Sequence, residues 1–278
     1  RHGLPSMPDL CADALEGMRA DSPIRSAAAF LLGVSLTLLR RPGATEALVR
    51  ADRYARALDV PLIEADTVAF RGMLAIMGGD IAAGVALIDR SAELIDEHRL
   101  ERLVTAAHTL TAHALALALA QDRTRATHQL GAARRLTTSA SIIAPWFQVL
   151  GPCVQARTAL ILGDAPLART LVAEARAALT PDLRGTLAEE LLDGTEEAVR
   201  STGQTAAAAA TLTPAELRVL AFLPSHLTFP QIGEHLFLSA STVKTHALAI
   251  YRKLGVSSRD DAVSAARRLG LVEAPLRG

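Results

Sequence analysis

The chain has 278 residues, with 29 basic against 29 acidic, and half of its residues are hydrophobic. That length supports two domains, one with a sizeable core, and that apolar content excludes a disordered chain. Two cysteines far apart in sequence, Cys11 and Cys153, exclude a disulfide framework and point to a reduced, cytoplasmic setting. The chain begins at Arg1 rather than Met, as a fragment of a longer protein would. Residues 1–200 read as helix almost throughout, because Ala, Leu, Arg and Glu dominate and no β-branched alternation occurs. Breaks are expected at Pro42-Gly43, Pro61, Gly78-Gly79, Gln121-Asp122, Ala144-Pro145, Gly163-Asp164 and Pro181.

The breaks repeat. Four segments look alike: GATEALVRADRYARAL from Gly43, GDIAAGVALIDRSAELI from Gly79, QDRTRATHQLGAARRLT from Gln121 and GDAPLARTLVAEARAAL from Gly163. Their starts are 36, 42 and 42 residues apart, and each follows a longer apolar helix, so the unit is a helical hairpin. Asp80, Asp122 and Asp164 are expected to cap the second helix of their hairpins. The most apolar run, Leu103 to Ala120, holds His108, His113 and three threonines, and reads as a buried helix rather than a membrane span. Trp146 and Phe147 read as an anchor between helices; contact with a ligand is the alternative. Met73 and Met77 read as core filler, and His98 as a partner of its helix C-terminus. Thr186 to Arg200 is expected to be a terminal cap. Residues 201–211 are expected to be a linker, unless their five alanines extend the last helix. The repeats resemble a tetratricopeptide-like (TPR-like) solenoid with longer units.

Residues 212–278 form the second expected domain. Four short amphipathic helices are predicted, each with a start signal. Thr213-Pro214-Ala215-Glu216 and Thr228-Phe229-Pro230-Gln231 are capping boxes with an early proline; Ser239 and Ser258 are N-caps; Gly270 is a stop. In the third helix, over 240–254, Val243, Ala247, Ile250 and Leu254 form one apolar stripe. Ser241, Lys244, Thr245, Leu248 and Arg252 lie opposite. A short-chained face with one cation near the helix N-terminus suits the DNA major groove. Residues 211–278 hold eight basic against five acidic side chains, so the small basic excess sits in this domain. The chain's two lysines, Lys244 and Lys253, both lie in this helix. A coding bias toward arginine elsewhere is an equal explanation.

This stretch resembles the LuxR/GerE-type helix-turn-helix of bacterial transcription regulators. The matching residues are Leu212-Thr213, Glu216, Val219-Leu220, Ile232, Leu236, Ser239, Thr242-Val243-Lys244, His246, Ile250, Lys253-Leu254-Gly255-Val256, Ser258-Arg259 and Ala262-Val263. The resemblance implies an all-α protein: a TPR-like helical-hairpin solenoid followed by a four-helix LuxR-type domain. It implies that Lys244, Thr245 and Leu248 face bases of double-stranded DNA, and Ser241 of the same helix face is expected beside them. Thr242, His246 and Lys253 would then sit near the sugar-phosphate backbone, where Thr228 and Arg252 are expected as well. It also implies a homodimer on DNA, and Ala262 and Ala266 of the fourth helix offer a flat face for that contact. His226 replaces a usual glycine, Phe229 and Pro230 replace polar residues, and Ala240, Ser241 and Ala247 stand where proline or cations are common.

Repeats joined to such a domain are similar to the large ATP-binding LuxR-family regulators of the MalT-like type. Their nucleotide module would lie upstream of Arg1, since neither lysine here sits in a G-x-x-x-x-G-K-[ST] loop. A small-molecule or protein effector is expected at the repeats. No catalytic constellation, cofactor, metal site or membrane contact is expected; His108 and His113, five apart, do not share a helix face well. The competing reading is an interaction scaffold whose terminal helices, poor in cations, do not bind DNA.

Overall fold

The computed structural model describes residues 3–137, 145–209, 212–269 and 271–272, and of residues 204–209 and 268 the backbone alone. Ala144, Ala210, Thr211 and Gly270 therefore lie outside the described residues, with the expectations that fall on them. Among the described residues there are fourteen α-helices, three short 3-10 turns and no strand. The chain divides into two compact units, Arg1–Glu196 and Glu197–Gly278.

The first unit opens with α1 (Met7–Gly17) and continues as four hairpins. These pair α2 (Ile24–Leu38) with α3 (Ala44–Ala57), α4 (Pro61–Met77) with α5 (Ile81–Glu97), α6 (Ala107–Leu119) with α7 (Arg123–Thr137), and α8 (Phe147–Ile161) with α9 (Ala165–Ala178). Successive first helices pack on one another, α2 on α4, α4 on α6 and α6 on α8, so the hairpins stack in chain order. Helix α6, AHTLTAHALALAL, has nearly every residue buried, which its small and apolar composition permits. Among the described residues no helix is long and apolar enough to cross a membrane.

The repeated turns explain the repeated sequence. Helices α4, α6 and α8 each end in a left-handed residue, Gly79, Gln121 and Gly163, at φ 93°, 65° and 81°. The amide of the next residue then bonds the carbonyl five positions back: Asp80 to Ala75 at 2.9 Å, Asp122 to Leu117 at 3.0 Å, Asp164 to Ala159 at 2.8 Å. Each aspartate carboxylate in turn accepts from an amide of the following helix: Ala83, Arg125 and Leu167, at 3.1, 3.0 and 2.9 Å. Between α4 and α5 the backbones nearly touch. A Cβ on Gly84 would lie 2.7 Å from the Gly72 carbonyl oxygen.

Helix α10 spans Leu187–Ala209, and the division between the units falls within it. Its first half buries Leu191 and Leu192 and offers Asp193 and Glu196 to Arg176 of α9. The expected linker at 201–211 differs: Ser201 to Ala209 are helical. Alanine is the strongest helix former, so a run of it prolongs an established helix instead of loosening it.

The second unit holds α11 (Pro214–Phe222), α12 (Phe229–Leu236), α13 (Ala240–Leu254) and α14 (Arg259–Arg268). Helix α13 contacts the other three. Its core joins Leu212, Val219, Leu220, Leu223, Ile232, Val243, Ile250 and Leu254 to Ala262, Val263, Ala265 and Ala266.

Candidate nucleic-acid interface

Each helix of the second unit begins with a side-chain cap. At α11 the Thr213 hydroxyl accepts from the Glu216 amide at 3.3 Å, and the Glu216 carboxylate accepts from the Thr213 amide at 2.7 Å. At α12 the Gln231 carbonyl accepts from both the Thr228 amide and the Thr228 hydroxyl at 2.8 Å. Ser239 starts α13 by accepting from the Thr242 amide at 3.1 Å, and Ser258 starts α14 by accepting from the Asp261 amide at 3.1 Å.

The α12–α13 turn is tight. A Cβ on Gly233 would lie 2.5 Å from the Leu238 carbonyl oxygen, so only glycine lets the turn fold back here. Phe237 takes the left-handed conformation at φ 56°, closes the turn and stands 95% exposed. This turn aims α13. Its stripe of Val243, Ala247, Ile250 and Leu254 is buried. Ser241, Lys244, Thr245, Leu248 and Arg252 are all exposed, Leu248 at 56%. The Thr245 hydroxyl donates to the Ser241 carbonyl at 3.0 Å. Thr242 and His246 flank this face, half-buried, and Thr228 is exposed at the start of α12. The face carries two cations, hydroxyls and one apolar side chain on a helix, the chemistry of major-groove reading.

The family of bacterial regulatory proteins of the luxR type matches residues 210–266. Those residues are a LuxR-family helix-turn-helix domain. The transcriptional regulatory protein LiaR of Bacillus subtilis (strain 168) is 40% identical over 74 residues, which cover 27% of this chain and 35% of that protein. The HTH-type transcriptional regulator MalT of Yersinia enterocolitica is 45% identical over 58 residues, 21% of this chain and 6% of that protein. The chain thus spans about a third or less of the length of these relatives. No solved structure matches the chain.

Within the LuxR-type domain two expectations need correction. Ala262 and Ala266 do not form a free face for a second copy: both are fully buried among the unit's own core. Small side chains suit a close helix contact of either kind, and here α14 uses them against its own unit. Its exposed residues are Asp260, Asp261, Ser264 and Arg267. Lys253 is also committed internally. Its ammonium donates to Glu216 Oε2 at 2.7 Å, and the carboxylate is buried. Burial alone would raise the Glu216 pKa, but the bonds from Lys253 and Thr213 outweigh it and leave the carboxyl below its usual value.

Two contributors escape a local reading of the sequence. Arg259 spreads its guanidinium over the carbonyls of Leu223, Ser225 and Leu227 at 2.9, 2.7 and 2.8 Å, and so satisfies the end of α11 and the turn to α12. Phe222 stacks on His235 with centroids 5.7 Å apart. The signal for Arg259 was its place next to an N-cap, but its partners lie more than thirty residues away. Among the described residues no group of three or more His, Cys, Asp or Glu side chains could hold a metal.

Proposed function

We propose that this chain is a DNA-binding transcription regulator that reads double-stranded DNA with α13 in the major groove. Ser241, Lys244, Thr245 and Leu248 face bases; Thr228, Thr242, His246 and Arg252 lie along the sugar-phosphate backbone. Two copies act together on DNA, and the helical hairpins control activity. One observation carries the DNA reading. The outward face of α13 is free of packing duty, and Lys244 makes no ion pair among the described residues. The names of the relatives, a transcriptional regulatory protein and an HTH-type transcriptional regulator, agree with it.

The paucity of cations favours a second reading, a helical interaction module that leaves DNA alone. With Lys253 held by Glu216, the face keeps Lys244 and Arg252. Anisotropy titration of the full chain against genomic fragments, over a range of salt, separates the two. DNA reading requires log K to fall with log salt at about 0.9 per neutralised phosphate. Lys244→Ala should lose about 1–3 kcal/mol of discrimination between the selected site and random DNA. Binding that is absent at low salt, or indifferent to Lys244→Ala, would refute it.

A further inference from the structure

The first unit holds a partly open cavity of about 210 Å³. Its main walls are Phe30, Ile63, Asp66, His108, Trp146 and Phe147, contributed by α2, α4, α6 and the start of α8. The lining rings and their neighbour Phe70 pack mostly edge to face. Phe70 meets Trp146 at 6.2 Å, His108 meets Phe147 at 5.6 Å, and Trp146 meets Phe147 at 5.9 Å. The chain is poor in aromatics, at 3%, yet its single tryptophan and two of its six phenylalanines line this cavity, and Phe70 packs on Phe30 and Trp146.

The repeat explains the convergence. Ala27, Asp66 and His108 each stand thirteen residues before the left-handed residue that ends their helix, Arg40, Gly79 and Gln121. Ile63, Thr105 and Phe147 each stand sixteen before Gly79, Gln121 and Gly163. All six line the cavity. Stacked hairpins have brought the same positions to one place, and the side chains there differ in kind.

Two of those side chains are polar and buried. His108 is 5% exposed, both its ring nitrogens are closed off from solvent, and among the described residues neither has a hydrogen-bond partner. Asp66 is 6% exposed and accepts one bond, from the Thr109 hydroxyl at 3.0 Å. A buried imidazole with both nitrogens idle costs about 1–3 kcal/mol per unmet group, and native interiors rarely leave one. Burial pushes the His108 pKa down to about 4, and it pushes Asp66 up to about 8 against the pull of Thr109, so both walls are neutral at pH 7. Among the described residues no cation lines the cavity to receive an anionic ligand.

The size is also selective. An apolar cavity of about 150 Å³ accepts benzene, whereas drug-sized ligands need about 300–1,000 Å³. The space fits one ring with a short substituent.

We propose that this cavity binds a compact, uncharged ring compound carrying a hydroxyl or carbonyl group, with the ring against Phe30, Trp146 and Phe147 and the polar group bonded to His108. This binding does not depend on whether the C-terminal domain reads DNA.

Trp146 is the chain's one tryptophan, so its fluorescence in the full-length protein reports on the cavity. The test titrates benzyl alcohol, toluene, benzylammonium and benzoate, with calorimetry alongside. Benzyl alcohol should shift the emission and bind at least tenfold tighter than toluene, with both ions weaker. His108→Phe keeps the ring and removes the nitrogens; it should bring benzyl alcohol down to the level of toluene. Ala27→Leu fills the space from another wall and should weaken all binding. It serves as the control if the His108 variant does not fold. Four outcomes would overturn the proposal: no response to any probe; toluene as tight as the alcohol; benzylammonium tightest, which would mark a carboxylate site for cations; or alcohol binding unaffected by both variants.

Discussion

In the C-terminal unit the buried polar groups are matched. Glu216 serves Thr213 and Lys253, and Arg259 serves three carbonyls. The exposed face of α13 is polar where it should be wet. In the N-terminal unit, among the described residues, His108 has no hydrogen-bond partner, Asp66 has one, and both line an aromatic cavity. A surface that reads a partner needs its interior settled, because the reading helix must be rigid. An interior that receives a ligand keeps polar groups unmet until the ligand arrives. The two units therefore differ in where they leave chemistry unfinished, one outside and one inside.

The sharpest way to test the first half of that contrast is to disturb the small core. Ala266 is fully exposed to other side chains and not at all to water. Ala266→Glu would bury an unpaired carboxylate and should cost roughly 4 kcal/mol or more, enough to unfold the C-terminal unit. The N-terminal unit, with a separate core, should keep its helical melting transition in circular dichroism. A folded C-terminal unit that merely loses self-association would show that Ala266 faces a second copy after all.

The N-terminal unit has its own point of least tolerance. Gly84→Ala would drive a methyl into the Gly72 carbonyl and into Ile76 of α4. The α4–α5 hairpin should lose about 1–3 kcal/mol, the usual cost of overpacking. Denaturant midpoints should fall for this unit alone, with α13 still binding DNA. No change in midpoint would mean that the hairpin opens freely, and a soft hairpin could not hold a defined cavity.

How much of this contrast was legible in the sequence follows from the range of the interactions. Caps join residues three apart, so Thr213 with Glu216, Ser239 with Thr242, and Asp80, Asp122 and Asp164 could be read directly. The face of α13 was legible because one helix period contains it. The Lys253–Glu216 pair spans 37 residues and the bonds of Arg259 span 32 to 37, so neither could be read locally. Ala262 and Ala266 resist a local reading because alanine suits a tight core and a helix interface alike, and only the packing of α14 shows them in the core. The cavity was half legible. The repeat was visible, but which of its positions face inward depends on how the hairpins stack.

Acidity probes the unmet groups. Asp66 ionises more readily unfolded, near 3.8, than folded, near 8. Its protonated form favours the fold, and that contribution is lost as pH rises toward 8. His108 works the other way: with a folded pKa near 4 against 6.5, it contributes stability that is lost as pH falls below 6.5. Below 6.5 the two oppose each other; above it Asp66 acts alone. The N-terminal unit should therefore lose about 2 kcal/mol between pH 6.5 and 8, at about 1.36 kcal/mol per pH unit. Asp66→Asn should flatten that window, measured by urea midpoints. An unchanged slope would move the titrating group elsewhere.

The smallest expected effect compares the turns of the two units. Left-handed geometry costs a residue with a Cβ about 1–2 kcal/mol relative to glycine. Gly79 and Gly163 meet this demand in two repeats, while Gln121 holds the same place at φ 65°. Phe237 holds the matching conformation in the α12–α13 turn at φ 56°. Replacement by glycine relieves strain in the fold but frees the unfolded chain, which returns part of the gain. Gln121→Gly should thus stabilise the N-terminal unit by up to about 1 kcal/mol. Phe237→Gly should do the same for the C-terminal unit, since a ring 95% exposed has little packing to lose. The two outcomes can diverge. Should Phe237→Gly stabilise the unit and still weaken DNA binding, the exposed ring would be part of the DNA-facing surface and not a tolerated misfit, and the outward chemistry of this unit would extend from α13 into its turn.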